Sequence, residues 1–158
     1  LILVTASVLY GIRKQRLNRI QGTAIVALVA FLGIVFGSTV FTRTSTIRQY
    51  ELQPFWSWHE VIWHNDRELL KENLLNCLLL VPMGLLMPVV LDHRVKLNRA
   101  FIAGFIVSAV IELPQLVFKR GLFEWDDMIH NALGCMFGCW VMNWIVINLK
   151  KSKRGNKA

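Results

Sequence analysis

Five apolar segments follow one another along the chain, separated by shorter polar stretches. They cover residues 1–11, 23–41, 73–91, 100–118 and 128–149. The last four approach the roughly 20 apolar residues that an α-helix needs to cross a hydrocarbon core of about 30 Å. The first is too short to span alone, so we expect either that the chain is a fragment or that this segment is the end of a longer helix. The pattern predicts an all-α fold, a polytopic transmembrane helical bundle of about five spans.

The polar stretch between the second and third segments contains an aromatic pattern of its own. Phe55, Trp56, Trp58, Ile62 and Trp63 alternate with polar residues over about three helical turns. This spacing predicts a short helix lying in the membrane interface, with its rings at headgroup depth. A plain aromatic belt with no role in ligand binding explains the same pattern equally simply.

The position of the basic residues favours a membrane protein over a nucleic-acid-binding protein. The net charge is +8, but 54% of the residues are hydrophobic, mean hydropathy is +0.45, and the basic residues flank the apolar segments. Three basic sets alternate along the chain: Arg13, Lys14, Arg16 and Arg19; Arg94, Lys96 and Arg99; and Lys150, Lys151, Lys153, Arg154 and Lys157. The positive-inside rule places all three in the cytoplasm, together with the C-terminus, and places loops 42–72 and 119–127 outside.

Polar residues inside the third, fourth and fifth segments are predicted to collect at the outer end of the bundle. They are costly in a bilayer and usually face the bundle interior or a wet cavity. The candidates for ligand binding are Asn73, Asn76, Glu112, Gln115, Arg120, Asp126, Asp127 and Asn131. Several have a structural alternative: Asn73 and Asn76 as contacts between helices or as a cap, Glu112 as a partner of Arg120, and the two aspartates as caps of the fifth helix.

Small residues and prolines in these segments favour packing and bending over chemistry. Gly134 and Gly138 are four residues apart, which is typical of close helix packing. Pro82 and Pro88 are expected to kink the third segment. Cys77, Cys135 and Cys139 are interpreted as apolar packing residues, because no histidine or further cysteine completes a metal set. No metal and no cofactor are therefore expected.

Three short motifs resemble those of one family. Residues 72–86 resemble the asparagine-containing, Pro-x-Gly helix of VanZ-like proteins. Residues 111–115 resemble their Ile-Glu-x-x-Gln element, and residues 126–134 resemble their Asp-x-x-x-Asn-x-x-Gly element, with Arg120 in the usual basic position before it. Residues 53–55, Gln-Pro-Phe, are similar to the Pro-Phe that precedes the third span in that family.

The resemblance extends over residues 23 to 147 and implies a domain division. Residues 1–22 would form a partial N-terminal span and a cytoplasmic basic loop, residues 23–149 a VanZ-like transmembrane domain, and residues 150–158 a basic cytoplasmic tail. The family is named for teicoplanin resistance, so the resemblance implies a bacterial cytoplasmic membrane and an envelope role; glycopeptide resistance is a related process that the resemblance does not assign to this chain. Pro114, inside the Glu-to-Gln element, departs from the family pattern.

Two functions from different classes follow. One is a binding protein whose outer pocket holds a lipid headgroup, a lipid-linked glycan or an amphiphilic antibiotic. The other is an enzyme acting on a lipid-linked phosphate or sugar, with Glu112 and Asp127 as acid and base or as ligands of a divalent cation. A transporter is less favoured, because the inner halves of the segments are apolar or small. The expected partners are membrane lipids or lipid-linked envelope precursors, and not nucleic acid; the oligomeric state stays open.

Overall fold

The computed structural model describes residues 1–41, 49–119 and 121–155, with side chains for 1–41, 50–119 and 121–148. Within these residues the chain is almost entirely helical. The helices are α1 (Ile2–Arg13), α2 (Arg19–Phe36), α3 (Trp56–His64), α4 (Arg67–Leu79), α5 (Val81–Val90), α6 (Leu97–Phe118) and α7 (Trp125–Gly155). A single π-helical turn, Gly37–Phe41, continues α2. The predicted all-α bundle is confirmed.

Polar caps fix where two of the long helices begin. Asn18 and Gln21 form a reciprocal capping box at the start of α2, in which the Asn18 side chain accepts the Gln21 backbone N–H at 2.7 Å. The Asp66 carboxylate accepts the Leu69 N–H at 3.0 Å and starts α4. Such caps satisfy backbone donors that have no partner within the helix, so they set the helix start more sharply than the apolar pattern does.

Four stretches are long and apolar enough to cross a membrane: Arg19–Phe41, Arg67–Val90, Leu97–Phe118 and Trp125–Asn148. Only 17–39% of the residues in the 18-residue apolar part of each stretch are buried inside the bundle. The other apolar side chains lie on its surface, which suits a protein whose solvent is lipid. The shorter apolar helix Ile2–Arg13 corresponds to the predicted first segment. The chain is thus a multi-pass membrane protein.

The third span is broken where the sequence predicts a bend. Helix α4 ends at Leu79, and α5 begins at Val81, with Leu80 between them at φ −101° and ψ 9°. The break lies two residues before Pro82, because proline has no N–H to donate to the carbonyl four residues earlier, at Leu78, and its ring crowds that carbonyl. Pro88, in contrast, lies inside α5. The predicted kink therefore arises on the N-terminal side of Pro82.

Helix α7 is the centre of the bundle, and α4, α5 and α6 all pack against it. Glycines allow the closest approaches. A Cβ atom on Gly134 would overlap the carbonyl oxygen of Cys77, and one on Gly84 would lie 2.8 Å from the Cys139 nitrogen. Cys135 and Cys139 are completely buried in the same core. A Cβ on Gly138 would likewise overlap the Val81 carbonyl oxygen, so the predicted close packing at Gly134 and Gly138 and the packing roles of Cys135 and Cys139 are confirmed.

Two three-residue strands interrupt the helical pattern. Strand β1 (Gln49–Glu51) pairs in parallel with β2 (Leu122–Glu124), so that Tyr50 faces Phe123. The strands immediately precede the segments that lead into α3 and α7. Their pairing therefore brings the start of α3 to the start of α7, which the sequence pattern did not predict.

Candidate functional site

At one end of the bundle, α3 lies across the start of α4 and the start of α7. We call this region the α3 end; it comprises Trp56–His64, the first turns of α4, strand β2 and the first turns of α7. Hydrogen bonds between side chains of α7, α3 and α4 hold it together. The polar residues that were predicted to meet at one depth do not form a single group. One holds α3 in place, some line a cavity beside α3, and the others that the structure describes lie outside that cavity.

Asp126 is the anchor of α3. Its carboxylate accepts the backbone N–H of Phe55 at 2.6 Å and of Ser57 at 3.1 Å, together with the Ser57 hydroxyl. No side chain of α3 itself caps that helix. A carboxylate in this position satisfies first-turn donors and complements the positive end of the helix dipole. With 1% of its surface exposed, Asp126 faces α3 and not solvent.

Two further contacts extend this anchor. The Asn73 side-chain amide donates to the Ser57 hydroxyl at 3.2 Å, which ties α4 into the network. The Trp58 indole N–H donates to Nε2 of His130 at 2.7 Å. Because an indole N–H can only donate, Nε2 must be the unprotonated, accepting nitrogen of a neutral His130. Helix α3 is thus held against α7 at Asp126 and at His130, one turn apart.

Beside this anchor is an open space that we call the acidic cavity. Its volume is about 520 Å³, within the range of small-molecule sites. The residues that line it are Leu69, Glu72, Asn73, Leu75, Asn76, Leu122, Glu124 and Asp127. The Asn76 amide donates to the Asp127 carboxylate and fixes its orientation. Three carboxylates and two amides therefore face one space.

Glu124 has the most unusual electrostatic setting of the three acids. The residue is 92% buried, and this burial raises the pKa of its carboxyl group to about 8, because the charged form loses hydration. The nearby Asp127 carboxylate raises the pKa further, whereas the Trp56 side chain opposes the rise. Glu124 is consequently protonated at neutral pH, and a cation entering the cavity would favour its ionised form.

The remaining predicted residues lie elsewhere. Glu112 and Gln115 are buried on α6, with 3% and 1% of their surface exposed, and neither lines the cavity. Asn131 donates to the Ser108 hydroxyl at 2.8 Å and joins α7 to α6. Arg120 is outside the described residues. The cavity therefore brings Asn73, Asn76 and Asp127 together, whereas Glu112, Gln115 and Asn131 are not among its lining residues.

Sequence reasoning missed two cavity acids, Glu72 and Glu124. Glu72 had a detectable signal, because it precedes Asn76 by four residues and so shares a helix face with it. Glu124 had no detectable signal in the sequence. The strand pairing that places it at the cavity involves only three residues on each side, which is too short to produce a periodic pattern. Ser57, which completes the anchor of α3, was likewise not singled out.

The exposed side of α3 also contains a small donor cluster. His64 Nδ1 is 2.7 Å from one Glu60 oxygen, and His59 Nδ1 is 3.7 Å from the other. Among the residues that the structure describes, these three side chains form the one group of three or more possible metal ligands. Glu60 and His64 are also an ordinary i,i+4 surface pair. Within the described part of the chain, Glu112 and Asp127 belong to no such group.

Comparison with known proteins agrees with the motifs. A family model described as VanZ/LLP1 matches residues 23–147, which is most of the chain. The match begins in α2 and ends in α7, so it includes α3 and every residue that lines the acidic cavity. No curated protein sequence and no solved structure matches the chain. The resemblance predicted from the motifs is confirmed.

Proposed function

The chain belongs to the VanZ/LLP1 family, and we propose that it is an envelope protein whose acidic cavity binds the polar part of an amphiphile. The amphiphile would be a lipid headgroup, a lipid-linked glycan or a lipoglycopeptide antibiotic. The proposal includes the bacterial cytoplasmic membrane, with the C-terminus in the cytoplasm and the α3 end in the outer leaflet. A link to glycopeptide resistance would follow from binding of the third class of ligand.

The observation that supports the proposal best is the composition of the cavity. Glu72 and Asp127 provide acceptors, the protonated Glu124 provides one donor and one acceptor, and Asn73 and Asn76 provide amides that can donate or accept. Such a set suits sugar hydroxyls and protonated amines. A phosphate group is negatively charged, so the ionised carboxylates that line the cavity would repel it. We therefore expect amino or hydroxyl groups of the ligand, and not its phosphate, to enter the cavity.

The apolar part of an amphiphile has a surface beside it. Phe55, Ile62 and Trp63 are 58%, 69% and 73% exposed at the start and along the outer side of α3. Large exposed apolar side chains next to a polar cavity are typical of interaction with a membrane or with an acyl chain. Because Asp126 and His130 hold α3 in place, this surface keeps a constant position relative to the cavity.

Binding is favoured over catalysis by the position of the two candidate catalytic acids. The enzyme hypothesis needs Glu112 and Asp127 to act on one substrate. Asp127 lines the cavity, whereas Glu112 does not. Asp127 is also oriented by Asn76, as expected for a residue that recognises a ligand.

Matched variants test the proposal. We would measure binding to the detergent-purified protein by native mass spectrometry, using phosphatidylethanolamine, phosphatidylglycerol and teicoplanin as probes. Glu72→Gln and Asp127→Asn each remove one cavity charge. Glu68→Gln removes the same charge one turn earlier on α4, from an exposed residue outside the cavity.

A charge-assisted hydrogen bond contributes about 1.5–3 kcal/mol, so each cavity variant should weaken binding of an amine-bearing probe by roughly tenfold or more. Glu68→Gln should bind as the wild type does. Phosphatidylglycerol, which has no amine, should respond less to the loss of charge. Equal affinity of the wild type and Asp127→Asn for all three probes would show that the acidic cavity is not the binding site.

A further inference from the structure

The end of the bundle opposite α3 has a second cavity of about 400 Å³. We call it the basic groove. It lies between the loop that joins α5 to α6 and the C-terminal half of α7. Its lining combines two cationic, two indole and several apolar or amide side chains: Arg94, Val95, Lys96, Leu97, Trp140, Asn143, Trp144 and Ile147. None of these residues lines the acidic cavity.

The loop of the groove is fixed to α7 at one residue. The Asn143 side chain accepts the Val95 N–H at 3.2 Å and donates to the Val95 carbonyl at 2.8 Å. Val95 itself is 5% exposed and packs in the core with Cys139. A residue held by its backbone and its side chain cannot move far. Arg94 and Lys96, on either side of it, therefore leave the loop at fixed points.

The two cations of the groove lack an ion-pair partner among the described side chains. Arg94 and Lys96 are exposed, and neither forms an ion pair with any side chain that the structure describes. Trp140 and Trp144 are 53% and 60% exposed and lie one turn apart on α7. Trp144 is in the last turn of the candidate span Trp125–Asn148, and Leu97 is the first residue of the span before it. The groove therefore lies at the level where a span meets the headgroups.

We propose that the basic groove binds the phosphate headgroup of an anionic glycerophospholipid. Arg94 and Lys96 would receive the phosphate, with the Arg94 guanidinium able to donate two parallel hydrogen bonds. The indoles of Trp140 and Trp144 would pack along the glycerol region, where such rings are enriched in membrane proteins. Leu97 and Ile147 would contact the first carbons of the acyl chains. Basic cavities between transmembrane helices are a recognised way of binding such lipids.

A specific lipid site and a general attraction to an anionic surface depend on different residues. General attraction depends on every basic residue at this end of the bundle, including Arg99 in the first turn of α6. A site depends on Arg94 and Lys96 in their fixed positions. Loss of a charge-assisted hydrogen bond costs about tenfold or more in affinity, so removal of both cations should weaken lipid binding by at least about tenfold.

The test uses the full chain in detergent, titrated with phosphatidylglycerol or phosphatidylcholine and analysed by native mass spectrometry. We expect the wild type to retain phosphatidylglycerol preferentially. The double variant Arg94→Gln/Lys96→Gln should lose that preference. The control Arg99→Gln should keep it, because its side chain does not line the groove. Equal retention by the double variant, or an equal loss in the control, would overturn the proposal.

One further variant and one competition experiment test the proposal in the same assay. Asn143→Leu leaves every charge in place but removes both hydrogen bonds to Val95. It should reduce selectivity for phosphatidylglycerol over phosphatidylcholine without changing the total amount of bound lipid, and unchanged selectivity would contradict the positioning role of Asn143. Glycerol phosphate at millimolar concentration should fail to displace the lipid. Displacement by it would instead indicate a site for soluble phosphates and would overturn the lipid assignment.

Discussion

Replacing Gly134 by alanine adds one methyl group at the closest contact between α7 and α4. The new Cβ would overlap the Cys77 carbonyl oxygen and lie 2.8 Å from the carbonyl carbon. Ordinary van der Waals separations begin at 3.4 Å. The atoms in the way belong to the backbone, so no side-chain rotation can relieve the overlap, and the helices must separate by at least the missing ~0.6 Å.

Overpacking a tight interface costs about 1–3 kcal/mol, and a clash with backbone belongs at the upper end of that range. For a chain of this length 1 kcal/mol shifts the unfolding midpoint by about 2–4 °C, so Gly134→Ala should lower it by about 6–12 °C. Asn76 directly precedes Cys77, so the same displacement should stretch the contact of Asn76 with Asp127 and weaken binding in the acidic cavity.

A thiol-reactive fluorophore measures the effect during a thermal ramp in detergent, because Cys135 and Cys139 are completely buried until the bundle opens. Gly33→Ala is the matched control: it is the same substitution in a helix, with no atom within 4 Å of the new Cβ. Alanine there should be neutral or stabilising, by up to about 1 kcal/mol. If the two variants unfolded at the same temperature, the close approach of α4 and α7 would be refuted.

Three other outcomes can be measured independently. Asp126→Asn should detach the start of α3 and speed amide hydrogen exchange at Ser57, while exchange in α6 stays unchanged; equal rates at Ser57 in both proteins would contradict the anchor. Burial raises the pKa of Glu124 to about 8 from 4.5, so the folded state holds a proton that the unfolded state releases. Stability should therefore fall as pH rises from about 4.5 to 8, and Glu124→Gln should flatten that slope. Trp63→Cys should react with a membrane-impermeant maleimide in intact cells and Arg94→Cys only after permeabilisation; the opposite result would invert the proposed topology.

The helices were predictable because each depends on a signal that is local in sequence. An apolar run of span length or a proline such as Pro82 acts within a few residues. The break at Leu80 follows from Pro82, two residues later, in the same way. The family motifs were also visible, because they consist of short runs within single helices.

The site was only partly predictable, because its assembly depends on pairs that are far apart in sequence. Asn73, Asn76 and Asp127 were identified from their common depth, and they do share a cavity. The same reasoning grouped Asp126 with them, although its carboxylate turns toward α3. Side-chain direction differs between neighbours on a helix by about 100°, and depth alone contains no information about it. Glu124 could not be found, because only the pairing of β1 with β2 places it.

The anchor of α3 has a consequence for the order of assembly. Asp126 contacts Phe55 across 71 positions of the chain, and His130 contacts Trp58 across 72. During synthesis α3 therefore emerges well before the helix that caps it, and its first-turn N–H groups must rely on water or headgroups in the interval. Insertion of α7 provides that cap and, at the same time, the surface against which α4, α5 and α6 pack. Docking of α3 is thus a late event, and an undocked α3 would mark a molecule whose bundle is not yet closed.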